Sequence, residues 1–329
     1  MKIHFILCLL LGGIQIVFSQ TCCSGGVPLS SNLGLPASDK GVLQLAISYD
    51  LNVLETLKSG RQTLEDDSRS RKTHSGLFEI GYSFSDKFSV DAFLAFVRQE
   101  RVINQFGNTN SSSTQGIGDA VVLFKYKLWS TADNSSVWQI GLGPKIPLGA
   151  SDKQSDIGLT FNADLQPGSG AWDGVFFTQF SQVLKAKPSM SFLLTATFGL
   201  KGKNKNYFDV QTYQFGNEFQ LSTGLSDRLL FGNFVVDPSL LLQYRRQDPD
   251  RIDGENLPST GGNWVFINPS IAYWPSPDIS FNIGFTIPVF SHITGTQVTP
   301  TYRFSTGVFY RFSKKRQDNI LPILNIKNQ

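Results

Sequence analysis

The chain has 329 residues, with 29 Lys and Arg against 26 Asp and Glu, so its formal net charge is +3. A nearly neutral chain without a long basic block is not typical of proteins that bind nucleic acid. Only three cysteines and three histidines are present, which excludes a disulfide-stapled fold and a zinc site of ordinary Cys/His spacing. We therefore expect no cofactor and no nucleic-acid partner.

The N-terminus has the pattern of a secretory signal peptide. Lys2 precedes an uncharged run from Phe5 to Phe18, and Val17-Phe18-Ser19 fits a signal peptidase site. The run is shorter than the roughly 20 residues that span a bilayer as a helix. We predict that residues 1–19 are a signal peptide and that the protein is exported.

The rest of the chain alternates apolar and polar residues over segments of about ten to thirteen residues. This is the period of a β-strand with two different faces. In the third segment, one face carries Phe88, Val90, Ala92, Leu94 and Phe96, and the other carries Ser89, Asp91, Ala95 and Gln99. The pattern predicts twelve strands, near 42–55, 75–84, 88–101, 116–129, 137–147, 171–184, 190–201, 213–225, 233–246, 263–274, 279–290 and 302–312.

The connections between these segments alternate in length. Short ones include Ser85-Asp86-Lys87 and 275–278, whereas the long ones follow every odd-numbered strand, at 56–74, 102–115, 148–170, 202–212, 247–262 and 291–301. A transmembrane barrel sorts its loops in this way, and a soluble sandwich has no reason to do so. The sequence predicts an all-β fold, a transmembrane antiparallel up-and-down β-barrel of about 12 strands over residues 41–312, with both termini periplasmic.

Aromatic residues support a membrane location. The five tryptophans all fall near predicted strand ends, where an amphipathic ring prefers the level of the lipid headgroups. The chain also has 27 phenylalanines, most of them on the predicted outward face, and a soluble protein exposing so many would aggregate. We expect a multi-pass barrel in the outer membrane of a Gram-negative cell, with outer-membrane lipids and the barrel-assembly machinery as partners.

Two stretches carry a family resemblance. Gly116-Ile117-Gly118-Asp119 leads into the strand from Ala120 to Leu128, and Gly141-Leu142-Gly143-Pro144-Lys145-Ile146-Pro147-Leu148-Gly149 ends the next strand. Together they resemble the outer-membrane transporters of the MetA-pathway phenol-degradation family. The resemblance implies import or export of small, often hydrophobic compounds.

The face opposite the aromatic one is predicted to line the lumen. It carries seven acids and seven bases, which gives no strong ion selectivity and is also compatible with a polar core whose charges pair across the lumen. These residues are Asp50, Glu79, Asp91, Asp119, Asp173, Glu218, Asp237, Lys125, Lys127, Lys145, Lys201, Arg245, Arg303 and Arg311. The same face carries nine apolar residues, which indicate either a path for an apolar solute or packing against a plug: Phe93, Val97, Leu123, Val175, Phe177, Leu193, Leu241, Phe266 and Phe309. Twelve strands predict a narrow or plugged channel.

Two terminal segments flank the predicted barrel. Residues 20–40 form a Gly-, Ser- and Pro-rich arm that is a candidate plug, and 313–329 form a tail; either segment could bind a periplasmic partner. Cys22 and Cys23 are weak candidates for a soft metal or a mixed disulfide, so the metal content is left open. A lipoprotein anchor on Cys22 is less favoured, because the preceding residues match that cleavage pattern poorly.

Three functions compete at this point. A channel or transporter for small solutes is favoured, and an adhesion, assembly or secretion-accessory barrel acting through loops or tails is the alternative. A membrane-embedded lipid hydrolase is a minor alternative, with His74 or His292 as base beside Ser75 or Ser291. No third catalytic residue is fixed by spacing, so we predict no enzymatic activity and no catalytic residue.

Overall fold

A computed structural model describes residues 39–105, 107–232 and 234–312. The predicted signal peptide, nearly all of the 20–40 arm with Cys22 and Cys23, and the 313–329 tail lie outside the described residues.

The described chain is built from β-strands and one short 3-10 helix, Ala163–Leu165. In chain order the strands are β1 (Leu43–Ser59), β2 (Gln62–Thr63), β3 (Arg69–Ser83), β4 (Phe88–Gln105), β5 (Asn108–Ile117), β6 (Ala120–Ser130), β7 (Ser136–Ile146), β8 (Asp173–Leu184), β9 (Lys187–Leu200), β10 (Asn204–Tyr207), β11 (Gln211–Gln214), β12 (Glu218–Asp227), β13 (Leu229–Phe231), β14 (Phe234–Gln247), β15 (Arg251–Ile252), β16 (Glu255–Asn256), β17 (Gly262–Ser276), β18 (Ile279–Ile293) and β19 (Thr296–Phe312).

Twelve of these strands close into an antiparallel barrel, as the alternating pattern predicts. The order β12-β9-β8-β7-β6-β4-β3-β1-β19-β18-β17-β14 is completed by pairing of β12 with β14. Leu43 of β1 pairs with Phe312 of β19, so the described chain enters and leaves the barrel at the same rim, which we call the terminal rim. The opposite one is the loop rim. The predicted twelve-stranded fold is confirmed.

Several predicted loops are wrong, because they are continuations of strands at the loop rim. β4 and β5 pair from Phe96↔Ile117 as far as Gln105↔Asn108, within the predicted loop 102–115. Likewise β18 and β19 leave only Thr294 and Gly295 of the predicted loop 291–301 outside strands. These extensions lack the apolar alternation of the spanning segments. Backbone pairing does not require that alternation. The alternating pattern therefore predicted strands that are shorter than the observed ones.

The outward face of every barrel strand exposes large apolar side chains. One from each strand, in chain order, is Ile47, Phe78, Phe96, Phe124, Leu142, Phe176, Leu200, Leu225, Leu240, Ile271, Ile283 and Val308. In water such a continuous apolar surface would be unstable, whereas in a bilayer it is solvated by lipid tails. Within the part of the chain that the structure describes, no helix is long and apolar enough to cross a membrane.

The tryptophans correct one expectation. Trp129, Trp138 and Trp172 are exposed, but Trp264 is completely buried. Its indole Nε1 donates a hydrogen bond to Thr299 Oγ1 at 2.7 Å, and the guanidinium of Arg245 lies 5.2 Å from its ring centre. Trp264 therefore does not belong to an aromatic belt. Its position near a strand end correctly predicted how far along the barrel axis Trp264 lies. It did not predict whether the ring faces lipid or the interior.

Glycines on the buried face of β7 allow the neighbouring strands to pack closely. A Cβ added to Gly143 would lie 1.7 Å from the carbonyl oxygen of Val122 on β6, and one added to Gly141 would lie 3.2 Å from Leu123 Cγ. Only glycine therefore fits at position 143 without displacing backbone.

We expect Gly143→Ala to destabilise the barrel by at least about 2 kcal/mol, because the methyl group collides with backbone that cannot rotate away. The measurement is urea unfolding of the protein refolded in detergent micelles. Gly76→Ala on β3 is the matched control, since its Cβ would meet nothing within 4 Å. Equal midpoints for the two variants would contradict the steric argument.

Candidate functional site

Most of the fourteen charged residues predicted to line the lumen are buried. In a closed single-layer barrel the buried face is the inward one, because protein atoms cover only the side chains that point into the interior. Side chains that point toward lipid are not covered by any other part of the barrel. Ten are buried, namely Asp50, Asp91, Asp119, Lys125, Lys145, Asp173, Lys201, Glu218, Arg245 and Arg303. Four are partly buried, namely Glu79, Lys127, Asp237 and Arg311. That they line a solute path stays a prediction.

Six of the buried residues form a belt of alternating charge at the loop rim. We define this charged belt as Asp119, Lys145, Asp173, Lys201, Glu218 and Arg245. Lys145 Nζ lies 2.7 Å from Asp119 Oδ2 and 3.0 Å from Asp173 Oδ2. Lys201 Nζ lies 3.2 Å from the same Asp173 oxygen, and Arg245 Nε lies 2.6 Å from Glu218 Oε1. Three acids and three bases leave the belt neutral, which is the condition for burying so much charge.

Six of the eight other predicted residues form ion pairs at separate places around the barrel. Lys125 Nζ contacts Asp91 Oδ2 at 2.6 Å, and Arg303 donates to Asp50. Nearer the terminal rim, Asp237 accepts two hydrogen bonds from Arg228, at 2.9 and 2.6 Å. Arg311 Nε lies 3.3 Å from Asp278 Oδ1, both side chains being more than a third exposed. The predicted residues therefore form several neutral pairs and do not converge on one catalytic centre.

A long connection folds inward at the loop rim. We call residues 147–172 the inward loop. Its residues Asp164, Leu165 and Gln166 are buried, and they are held by inward-facing side chains of three strands. Arg71 Nη1 on β3 donates to Asp164 Oδ2 at 2.9 Å, and Gln99 Nε2 on β4 donates to the carbonyl oxygen of Gln166 at 2.9 Å. On β5, Thr114 donates to the carbonyl oxygen of Leu165.

The inward loop is also joined to the charged belt. Asp119 Oδ2 accepts hydrogen bonds from the backbone N–H and the hydroxyl of Ser169, at 3.0 and 2.7 Å, and its Oδ1 accepts one from Gly149 N–H at 3.2 Å. Asp119 thus fixes both ends of the loop at once. The Gly-x-Gly-Asp segment that begins β6 supplies this residue, and the segment containing Lys145 supplies its ion-pair partner.

Sequence reasoning missed Arg71, Asp164 and Ser169. Arg71 and Asp164 both lay in stretches interpreted as loops, where charged residues are usually solvated. No local signal distinguishes them, because the Arg71–Asp164 pair joins residues 93 positions apart.

An apolar patch lies on the buried face below the charged belt. It comprises Phe93, Ala95 and Val97 on β4, Val121 and Leu123 on β6, and Val175 and Phe177 on β8. Five of the nine predicted inner apolar residues belong to it. Phe266 lies in a second cluster with Trp264 and Ile293, and Leu193, Leu241 and Phe309 are partly buried.

Charged layers bound the apolar patch above and below. Along the buried face of β6 the order from the loop rim is Asp119, Val121, Leu123 and Lys125. Asp119 belongs to the belt, and Lys125 pairs with Asp91. Alternate residues of a strand are about 7 Å apart, so the apolar layer is roughly 10 Å deep. The interior therefore contains one short apolar zone enclosed by neutralised charges.

A small outer sheet of β10, β11, β15 and β16 lies beyond the barrel strands. Tyr213 and Tyr207 pack there against Ala163 of the inward loop. The buried carboxyl of Asp250 accepts hydrogen bonds from Tyr213 Oη and Gly216 N–H, both at 2.7 Å. Burial raises the pKa of Asp250 to about 6, and it raises the pKa of Tyr213 well above its usual value.

Neither histidine is arranged for hydrolysis. Adjacent residues in a strand point to opposite faces, and Ser75 and Ser291 are buried while His74 and His292 are not. His74 Nδ1 instead lies 2.7 Å from the hydroxyl of Tyr49. Among the described residues there is no group of three or more His, Cys, Asp or Glu that could hold a metal ion.

The family described as "Putative MetA-pathway of phenol degradation" matches residues 66–304, which is well over half of the chain. The chain belongs to this family. The match spans the inward loop and ends within β19, so the predicted resemblance is confirmed. Comparison with curated proteins finds no match.

Comparison with solved structures finds outer-membrane barrels. An outer membrane channel from Pseudomonas putida F1 has a TM-score of 0.65 at 12% identity, covering 87% of this chain and 100% of that chain. The β-domain of the Bordetella autotransporter BrkA has a TM-score of 0.48 at 10% identity, covering 83% and 100%. The CymD monoaromatic hydrocarbon channel has a TM-score of 0.38 at 11% identity, covering 90% and 99%.

The closed barrel and its continuous apolar exterior place this family member in the outer membrane as a multi-pass β-barrel in contact with lipid. Its fold is shared with an outer membrane channel.

The raised pKa of Asp250 predicts that the outer sheet weakens as pH rises from about 4 to 6. In the folded state the Asp250 carboxyl keeps its proton up to about pH 6, whereas in the unfolded state it loses the proton near pH 3.8. Folding therefore binds a proton between these two pH values. Stability is greatest below pH 4 and falls by on the order of 3 kcal/mol by about pH 7, above which it is flat.

Hydrogen exchange of the Gly216 amide at pH 4.5 and 7, corrected for intrinsic exchange, measures this difference. Asp250→Asn keeps an acceptor for that amide and should abolish the difference. If the Asp250→Asn variant kept the full pH dependence, a titrating group other than Asp250 would be responsible for it.

Proposed function

We propose that this protein is an outer-membrane channel for small hydrophobic solutes. The observation that carries the proposal is the apolar patch inside the barrel. A water-filled pore gains nothing from seven buried apolar side chains on its wall. An apolar solute, in contrast, is stabilised by about 25 cal/mol for each Å² that it buries there.

The layers on either side of the patch favour a neutral solute. A charged molecule passing the charged belt would have to replace ion pairs such as Lys145–Asp119, which are buried and at close contact. Breaking a buried pair costs several kcal/mol, whereas a neutral apolar molecule makes no such demand. The family description, which refers to phenol degradation, supports the same solute class.

We also propose an orientation and partners. The short connections and both ends of the described chain lie at the terminal rim, which favours a periplasmic position for that rim, since barrels of this type have short periplasmic turns. The loop rim then faces the outside. In this arrangement the barrel-assembly machinery inserts the chain, and the 20–40 arm and the 313–329 tail are available to a periplasmic partner.

The inward loop is the element that must yield for a solute to enter from the loop rim. Its attachments to β3, β4 and β5 all run through residues 164–166. We propose that displacement of this segment opens a path to the apolar patch.

An accessory role in adhesion or secretion remains the second candidate. The observation that favours it is the β4–β5 hairpin, which continues to Gln105↔Asn108 beyond the end of β6 and presents a polar surface. Transport measurements distinguish the two candidates, because an accessory barrel has no need of solute flux.

The apolar patch predicts a specific loss of transport. Val97, Val121 and Val175 can each be replaced by Thr, which has nearly the same shape and adds a hydroxyl group to the wall. We expect the triple variant to lower the uptake of naphthalene across the outer membrane of intact cells by about tenfold, because each hydroxyl makes the apolar zone polar. The control is Val289→Thr with Val308→Thr, two exposed outward positions. Equal uptake by cells with and without the wild-type protein would overturn the channel assignment.

Release of the inward loop predicts a gain of conductance. The double variant Arg71→Met with Asp164→Asn removes both charges, so neither is left buried without a partner. We expect single-channel conductance in planar bilayers to rise several-fold, because the loop loses its ion pair to β3. The control pair is Arg228→Met with Asp237→Asn near the terminal rim, which should leave conductance unchanged. Equal conductance in all three proteins would show that the loop is not the barrier.

A further inference from the structure

A cavity of about 440 Å³ lies at the loop rim, beside the β4–β5 hairpin and the inward loop. Arg98 and Lys153 contribute two cationic side chains to its wall, and Ser113, Gln115 and Gln154 contribute hydrogen-bonding groups. The cavity is separate from the apolar patch and from the charged belt. Lys153 belongs to the inward loop, but the contacts that hold this loop to β3, β4 and β5 run through residues 164–166 and not through either cationic side chain.

The cavity begins where the lipid-facing surface ends. On the outward face of this hairpin, Phe96 pairs with Ile117, and the next pair on the same face is Arg98 with Gln115. Phe96 and Ile117 are 52% and 54% exposed, as expected for side chains that contact lipid tails. One step along the strands is about 7 Å, which is the distance from the edge of the hydrocarbon into the headgroup layer.

The backbone of Lys153 is held by hydrogen bonds to a neighbouring side chain. Gln166 of the inward loop accepts a hydrogen bond from Lys153 N–H at 2.9 Å and donates one to its carbonyl oxygen at 3.0 Å. The lysine stem lies beside Gly116, because a Cβ built at that position would be at an ordinary van der Waals distance of 3.8 Å from Lys153 Cε. Within the described ranges, no ion pair involves the ammonium group of Lys153.

Arg98 is only partly neutralised. Its Nε and Nη2 lie 2.9 and 2.8 Å from one oxygen of Glu100, so Nη1 remains for a ligand. Two cations against one carboxylate leave the cavity with a positive balance. A guanidinium and an ammonium beside hydroxyl and amide groups are suited to a phosphate group.

We propose that this cavity binds a phosphate group on the headgroup of an outer-leaflet glycolipid. The position favours a lipid over free phosphate, because the adjoining Phe96–Ile117 surface contacts the acyl region to which such a headgroup is attached. Phe161 also lines the cavity and can contact the apolar part of a sugar. The inference rests on the proposed orientation, in which the loop rim faces the outer leaflet.

The test is binding of diphosphorylated lipid A to the intact purified protein in detergent micelles, measured by native mass spectrometry. We expect Arg98→Gln with Lys153→Gln to weaken binding at least about tenfold. The control, Lys203→Gln with Lys205→Gln, removes two exposed lysines at the start of the outer sheet and should bind as the wild type does. Glu100→Gln should bind more tightly, because it releases the Arg98 guanidinium.

Two results would overturn the proposal. Equal lipid binding by the wild type and the Arg98/Lys153 double variant would remove the site, and displacement of lipid A by millimolar inorganic phosphate would assign it to a free anion. Resistance of the folded band to SDS before heating checks that each variant is folded. Because no solute flux is measured, a negative result leaves the channel proposal standing, and a failed channel assay leaves this one standing.

Discussion

Backbone hydrogen bonding in a bilayer is the constraint on which the rest of this structure depends. No water is available in the hydrocarbon to satisfy an unpaired N–H or C=O group, so a sheet that spans the membrane must have no free edge. Pairing of β1 with β19 and of β12 with β14 removes the edges. Closure in turn gives every strand one face toward lipid and one toward a confined interior, and the alternating sequence follows from that division.

Confinement then determines how the interior is filled. Twelve strands enclose too little space for a wide aqueous pore and too much for a single layer of side chains to fill. The inward loop occupies the space at the loop rim. Burying its carbonyl oxygens requires donors from the wall, which Arg71, Gln99 and Thr114 supply. The charged belt stabilises the same region because its members neutralise one another in pairs.

The sequence predicted what depends on local periodicity. Strand number, the inward or outward face of residues such as Asp91 and Lys125, and the buried position of five patch residues all follow from a period of two. The sequence did not predict features that depend on contacts between residues far apart in the chain. The partner of Arg71 comes from a loop 93 residues away, and Trp264 is inward although its place near a strand end suggested the headgroup layer. Strand extensions such as β5 were missed because they lie above the lipid, where selection for apolar residues stops.

The order of layers along the buried face connects these features to selectivity. In the proposed channel, a solute that enters at the loop rim meets the inward loop, then the charged belt, then the apolar patch, and then the Asp91–Lys125 pair. The belt is neutral but rigid, because Asp119 is bonded at once to Lys145, Ser169 and Gly149. The belt does not stabilise ions, because its charges are already paired with one another. The apolar patch does not stabilise water, because it offers no hydrogen-bonding groups. An apolar molecule alone is stabilised in the middle layer, so the barrel can be closed to ions and still admit hydrophobic solutes.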